Sequence, residues 1–334
     1  MQIYGGKMTP RNIISIFTLL GGTILISLLF GLRVSVSYEK NKRQSQNTEM
    51  ESVQGVFYKP MELNEEDLRA NSCYEPKMFK PITIKQNRTS GFNFRAATME
   101  LNGGKITMDD DRLVSLIRNY WIYNPSHLQY KFYDNKVDYS SGQSALVDSL
   151  LGNKEKGFYI ECGAFDGESQ SSSLLFERFR KWQGLLIEPD PLSYSRLKLK
   201  HRMAFTINAC ISPYPYPVMM KLERRGLYSR MLKSSSDGSD HKDVQCFPLH
   251  SILLAMNLKA VDFLSIDVGG LELNVLQTMP LKSTNINVIS VSCDYCSEKN
   301  ETDIKKLLLD HGYSVVSKLE NFKMLSKDLI FQRN

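Results

Sequence analysis

The run GFYIECGAFDGES, Gly157 to Ser169, closes an apolar stretch with an acid, Glu161, and then sets Gly163 and Gly167 around a second acid, Asp166. A strand that stops in an acid-flanked glycine turn is a place where a small molecule can approach the backbone closely. A dinucleotide site would read G-x-G-x-x-G, its glycines admitting a pyrophosphate to a helix N-terminus. Here the glycines are spaced Gly163-x-x-x-Gly167, and Glu161 and Asp166 would repel a pyrophosphate. The turn suits a ligand that carries positive charge and no phosphate. S-adenosylmethionine, with its sulfonium and ammonium groups, is such a ligand. Glu188, which ends the next apolar run GLLIE, would accept both ribose hydroxyls through its two oxygens. Asp267 ends a third run, VDFLSID.

These acids need a scaffold that brings strand ends together. From about residue 157 the chain alternates apolar runs rich in Ile, Val, Phe and Leu with stretches of helical spacing. FYIEC, GLLIE, AFTINACIS, VDFLSIDV, INVISVSC, YSVVSK and DLIFQRN read as strands; SSSLLFERFRKW, PLSYSRLKLK, LHSILLAMNL, LELNVLQTM and ETDIKKLLLDHG read as helices. Strands apolar on both faces and separated by helices predict an α/β, doubly wound, mostly parallel sheet covered on both sides. Such a sheet binds ligands beyond the C-terminal ends of its strands, at the topological switch point. That rule places Glu161, Glu188 and Asp267 on one rim.

Upstream, DRLVSLIRNYWI puts Leu113, Leu116, Ile117, Tyr120 and Trp121 at helical spacing behind three aspartates that favour a helix N-terminus. Residues 111–150 read as a helical lead-in and 151–334 as the domain. Residues 33–110 are polar and weakly patterned and read as a stem. Residues 12–32 carry no charge and suffice for one transmembrane helix, behind a short tail of residues 1–11. An uncleaved signal anchor is expected, the cleaved alternative having only Ser35 and Ser37 as a small-residue site. Lys and Arg around the span lean towards a cytosolic body, whereas the sequons at Asn87 and Asn300, a pattern that also arises by chance, fit a lumenal one, so the residues leave orientation open.

The net charge of +6 has no basic run interleaved with aromatics, which argues against nucleic-acid binding. The knots Lys198, Lys200, His201, Arg202 and Arg224, Arg225 read as solvated surface. Six cysteines in 334 residues are no disulfide scaffold. Cys293-x-x-Cys296 is half a zinc set with no second pair at a usable spacing, so no metal is expected. Cys162 reads as core, and His241 and His250 as surface or packing residues. Cys210 and Cys246 bracket a proline-rich, irregular segment, and a lumenal body would make them the pair to bridge.

Together FYIECGAFDGESQSSSLLFER, LLIEPDP, INACIS and FLSIDVGGLELNVL resemble the FkbM-type methyltransferase domain, in order and spacing, over residues 140 to 333. With the uncharged span, Tyr139–Gln143 and the DRLVSLIRNYWI helix, the whole chain resembles the Star-type family. That resemblance implies a single-pass protein of the endoplasmic reticulum, Golgi and endosomal membranes with a lumenal domain. Its partners would be the membrane and a transmembrane, epidermal-growth-factor-like precursor or other secretory cargo, whose trafficking would govern receptor signalling. It also implies donor-binding positions at Glu161, Gly163, Gly167 and Glu188, and a candidate catalytic acid at Asp267. The chain departs from the FkbM pattern at Gly269, at Cys293 and at Ser171-Ser172-Ser173, where the family has an acid, a glutamate and Ser-Asn-Thr. With the acceptor side reduced to Asp267, the expectation is weak or vestigial S-adenosylmethionine binding without transfer. The alternative is an active, membrane-tethered O-methyltransferase.

Overall fold

The computed structural model describes residues 82–232, 240–321 and 326–334. The uncharged span 12–32 and most of the predicted stem lie outside these residues, and no described helix is long and apolar enough to cross a membrane.

A seven-stranded sheet forms the centre, in the order β10-β11-β9-β8-β1-β2-β3. Its strands are β1 (Phe158–Cys162), β2 (Gln183–Ile187), β3 (Phe205–Ile207), β8 (Ala260–Ile266), β9 (Asn285–Ser292), β10 (Tyr313–Asn321) and β11 (Ser326–Arg333). The neighbours from β9 through β8, β1 and β2 to β3 are parallel, and β11 joins β9 and β10 antiparallel. From β1 the chain steps outward to β2 and β3, then returns to the other side of β1 as β8. The switch point therefore lies between β1 and β8.

Both faces of the sheet are covered, as runs without polar alternation require. Ile160 and Cys162 of β1 face one apolar layer, which also holds Leu113, Ile117 and Phe247. Tyr159 faces the other, with Phe176, Trp182 and Leu197. Helices α3 (Gln143–Leu150), α4 (Leu174–Phe179) and α5 (Pro191–Leu199) supply that second layer, and α6 (Leu249–Met256) belongs to the first.

Three local readings change in the folded chain. The residues just before the predicted helical lead-in hold a helix, α1 (Phe94–Gly103), capped by Asn93, whose side chain accepts from Ala96 N–H. The next helix, α2 (Asp111–Leu116), widens into a π-turn at Ile117–Trp121, and Trp121 packs edge-on to Phe247 with centroids 5.0 Å apart. Trp121 Nε1 donates to Thr98 Oγ1 on α1, which fixes the two helices together.

Beyond its prolines, the described part of the segment between Cys210 and Cys246 is not irregular. It forms a second sheet, β4-β7-β5-β6, from β4 (Cys210–Ile211), β5 (Val218–Glu223), β6 (Arg230–Leu232) and β7 (His241–Phe247). Its strands are partly exposed, so they lack the continuous apolar runs that marked the central strands. Cys210 and Cys246 are register partners and are joined by a disulfide, with Cα atoms 4.3 Å apart.

In the basic knot around residue 200, Lys198 is exposed as expected, but two of its residues are not on a solvated face. Lys200 and Arg202 are both buried, paired with Glu168 and Glu177. Arg202 also donates to Tyr159 Oη at 3.1 Å and Ser173 Oγ at 3.0 Å. Burying these charges costs several kcal/mol each, which only such complete pairing offsets.

Candidate functional site

Each rim acid arises from a strand end, but the fold gives the three different work. Glu161 precedes the last residue of β1, on the Tyr159 face of the sheet, and points towards the start of α4. Its Oε1 accepts from Ser172 N–H at 3.0 Å, and its Oε2 from Ser171 Oγ at 2.9 Å and from Ser173 Oγ. Burial raises its proton affinity, and Arg202 and the serine donors oppose that rise. The triple serine, a departure from the FkbM pattern, is thus the set that holds this buried carboxylate.

Glu188 follows β2 and is buried. Its Oε2 accepts from Phe165 N–H and its Oε1 from Asp190 N–H, both at 2.8 Å. Those bonds tie the β2 end to the glycine turn after β1. Desolvation still dominates, and the carboxyl is pushed up to about 8.

Gly163 and Gly167 both have positive φ, +88° and +79°. A Cβ on Gly163 would sit 2.2 Å from the Asp267 carbonyl oxygen, so only glycine lets the β1 and β8 ends close up at the switch point. Gly167 turns the other way, towards Leu197 of α5, and lines neither cavity of the rim. Asp166 caps the turn from inside, accepting from Glu168 N–H and Ser169 N–H.

Two cavities open here. One, of about 90 Å³, lies between Gly163, Phe165, Glu188, Ala209, Ile211 and Asp267. Its neighbour, of about 100 Å³, is walled by Ser172, Gln143, Asp267, Asp294 and Asp328. Cys162, Gly163, Gln170, Leu227 and Asp267 belong to both walls. Leu227 comes from a 3₁₀ turn, Gly226–Tyr228, between β5 and β6, so the second sheet overhangs the rim. No Lys, Arg or His lines either cavity among the described residues.

Asp267 sits where the cavities meet. It is exposed to them in area, yet the surrounding protein desolvates its carboxyl. That and the nearby Glu272, Asp294 and Asp328 carboxylates raise its proton affinity well above the usual aspartate range, while Gly269 N–H holds the ionised form. The glycine turn after it is capped mainly by Glu272, at the start of α7 (Glu272–Thr278), which accepts from Val268 N–H and Gly270 N–H, each at 3.0 Å.

Asp267, expected as a lone carboxylate, shares its cavity with Asp294 and Asp328. Asp294 follows Cys293 and accepts from Lys327 N–H at 2.7 Å. Asp328 comes from β11, opposite Ser292 in register, and desolvation together with Asp294 pushes it up to about 7. Neither is visible from spacing, because Asp328 reaches the rim only through antiparallel pairing at the far end of the chain. The signal that existed was the Asp in DLIFQRN, one of the strands already recognised. The position of the missing acid, Gly269, is closed to any side chain. Its φ is +66°, and a Cβ there would lie 2.7 Å from Arg230 Cα and 2.9 Å from the Ser229 carbonyl oxygen.

Cys293 is joined to Cys296 by a disulfide, a pairing that the half-set of zinc ligands did not suggest. Tyr295, inside that small loop, donates to the Tyr228 carbonyl at 2.9 Å and ties the loop to the overhanging turn. Cys162 is a free, buried thiol whose pKa burial pushes up. His241 lies in β7 and His250 in α6, away from both cavity walls. Among the described residues, no group of three or more His, Cys, Asp or Glu is arranged to hold a metal ion. Asn87 is exposed, and Asn300 is half-buried in the first turn of α8 (Glu298–Leu309).

Residues 161–315 match the family model described as the methyltransferase FkbM domain. A solved FkbM methyltransferase from Methylobacillus flagellatus KT shares 13% identity and a TM-score of 0.38, over 72% of this chain and 57% of that one. A methyltransferase from Pyrococcus furiosus shares 13% identity and a TM-score of 0.34, over 73% of this chain and all 100% of that one. A human methyltransferase 10 domain containing protein shares 11% identity and a TM-score of 0.36, over 71% of this chain and 97% of that one. No curated protein matches the chain. Residues 161–315 are thus similar to a methyltransferase FkbM domain, and they lie on an α/β, mostly parallel sheet.

Proposed function

We propose that this protein is an S-adenosylmethionine-dependent methyltransferase. The observation that carries this reading is a cavity without cationic residues at the switch point, bounded by Glu188 and Gly163, and continued past Asp267 into a second cavity that holds Asp294 and Asp328. The residues fit the donor. Glu188 offers carboxylate oxygens for ribose hydroxyls, Ile187, Pro189 and Ile211 offer an apolar wall for a base, and the lack of Lys and Arg suits a cation without phosphate. When bound, the donor supplies an electrophilic methyl group on sulfonium. Asp267 is placed to take a proton from an acceptor, and its raised proton affinity suits a general base at neutral pH. Titration calorimetry of the full-length protein with S-adenosylmethionine, followed by transfer of labelled methyl into lysate, tests the reading. Binding that weakens at least tenfold in Glu188→Ala, with transfer lost in Asp267→Asn, is expected. Absence of donor binding overturns it.

A second reading follows from other residues. The Cys210–Cys246 and Cys293–Cys296 disulfides and the exposed sequon at Asn87 fit an oxidising lumen. On this reading the span 12–32 anchors the chain in endoplasmic reticulum, Golgi or endosomal membranes. The domain then assists passage of a growth-factor precursor or other secretory cargo, as the Star-type resemblance implies, and keeps its fold for binding. Protease protection of intact microsomes with an endoglycosidase shift separates the two. A protected body with Asn87 glycosylated supports the lumenal reading, and digestion of an unmodified body refutes it.

A further inference from the structure

The cavity beyond Asp267 has a composition that selects its ligand. Its polar wall includes Asp267, Asp294 and Asp328, the Glu161 carboxylate already held by the triple serine, and the hydroxyls of Ser172, Ser265 and Ser292. Charge is unbalanced there, since no Lys, Arg or His belongs to that wall among the described residues. An independent observation points the same way. Ser172 and Gln143, 4% and 5% exposed, both line the cavity, and Ser172 Oγ and Gln143 Oε1 have no hydrogen-bond partner. Buried polar atoms are rarely left unpaired unless a ligand or water completes them. Gln143 Oε1 can only accept, and the carboxylates, when ionised, can only accept. Burial and mutual repulsion raise the proton affinity of Asp267 and Asp328, and a cation bound between them lowers it again, so a donor with positive charge completes this wall with its carboxylates ionised. A hydroxyl carries a single proton and leaves the carboxylates unneutralised, whereas a primary ammonium brings three donors and one charge.

We propose that this cavity is the acceptor subsite, that it binds a primary alkylammonium group, and that the protein methylates nitrogen. The inference rests on the methyltransferase reading above for its last clause, and on the cavity for the first two. Asp267 is common to both cavities, so it faces donor and acceptor together. In the transfer, the ammonium gives a proton to the Asp267 carboxylate, and the freed nitrogen pair forms the N–C bond. The C–S bond breaks with its electron pair left on sulfur, giving S-adenosylhomocysteine. Asp294 and Asp328 hold the ammonium in place and act as positioning residues.

The test uses the full-length protein in mild detergent without donor. Binding of n-butylamine and of its neutral isostere n-butanol is followed by protein-detected NMR at pH 7. The amine is expected to bind at least tenfold more tightly than the alcohol, and Asp328→Asn to lower amine affinity at least fivefold while leaving the alcohol unaffected. Asp294→Asn serves as the second variant should Asp328→Asn fail to fold. Equal binding of amine and alcohol by the unmodified protein overturns the proposal, needs no variant, and does not touch the donor reading. Labelled transfer is then compared on the two ligands with S-adenosylmethionine present. Transfer to amine supports the nitrogen assignment. Transfer to alcohol alone overturns that assignment while leaving the methyltransferase reading intact. Amine binding with no transfer to either ligand overturns the nitrogen assignment and counts against the methyltransferase reading, yet upholds the subsite.

Discussion

Gly163 is the position at which the switch point can be probed by one added carbon. Its φ of +88° is a conformation that side chains rarely adopt, and a Cβ there would meet the Asp267 carbonyl oxygen at 2.2 Å. Gly312 provides the matched reference, because its φ is +82° and a Cβ there would meet nothing within 4 Å. Gly312→Ala therefore carries only the backbone term, about 1–2 kcal/mol. Gly163→Ala carries the same term plus an overpacking cost of about 1–3 kcal/mol. That cost falls at the upper end, because the obstructing atom is backbone and cannot swing aside. For a body of this size each kcal/mol lowers Tm by roughly 2–4 °C. Gly312→Ala should then melt roughly 2–8 °C below the unmodified protein, and Gly163→Ala roughly 8–20 °C below it. Differential scanning fluorimetry and urea titration measure both. In urea, m should stay constant while the midpoint falls. If the two variants melt together, β1 and β8 do not close on each other at Gly163, and the geometry assigned to the rim is wrong.

Glu188 sets a pH dependence. Its folded-state pKa, about 8, lies above the usual carboxylate value, so the folded chain keeps a proton that the unfolded chain releases. Its contribution to stability is complete below about pH 4 and is lost as pH rises towards 8, with a slope of at most about 1.4 kcal/mol per pH unit. Chemical denaturation between pH 5 and 8 should show that decline, and Glu188→Gln should flatten it; an unchanged slope in the variant would falsify the assignment. The Cys210–Cys246 bridge closes a separation of 36 residues. Its loss in a Cys210→Ala, Cys246→Ala pair should cost about 3–4 kcal/mol by loop entropy, and non-reducing peptide mapping should recover the bridged peptide; two free thiols would remove the idea. Gly269→Glu, which would put back the missing acid, should destabilise by about 2–5 kcal/mol, because it combines positive φ with a clash on Arg230 and Ser229. It should add nothing to methyl transfer, and a stable variant with higher activity would show that the overhanging sheet is free to move.

The sequence by itself determined the central sheet and the location of its rim. β1, β2, β8 and β9 are short apolar runs buried on both faces, and such runs admit few structures other than inner strands of a parallel sheet. The glycine turn after β1 was legible for the same local reason, since its spacing excludes a pyrophosphate. Tertiary structure decided which acids share a space. Glu161 reads from sequence as a donor contact, yet it lines the cavity of Asp294 and Asp328 rather than that of Glu188, with Ser171, Ser172 and Ser173 folded back onto it. Asp328 lies 61 residues after Asp267 in number and reaches the same cavity only because β11 runs antiparallel to β9. Lys200 and Arg202 look like surface charge until Glu168 and Glu177, 32 and 25 residues away, are packed against them. The second sheet stayed hidden because β4 is only two residues long and β5 and β6 are partly exposed, so local pattern and propensity gave no period to read. Local patterns report how a residue is buried, because burial imposes periodicity on the chain. They do not report which distant groups meet, because that is fixed by strand order and by the pairing of charges that burial makes too costly to leave alone.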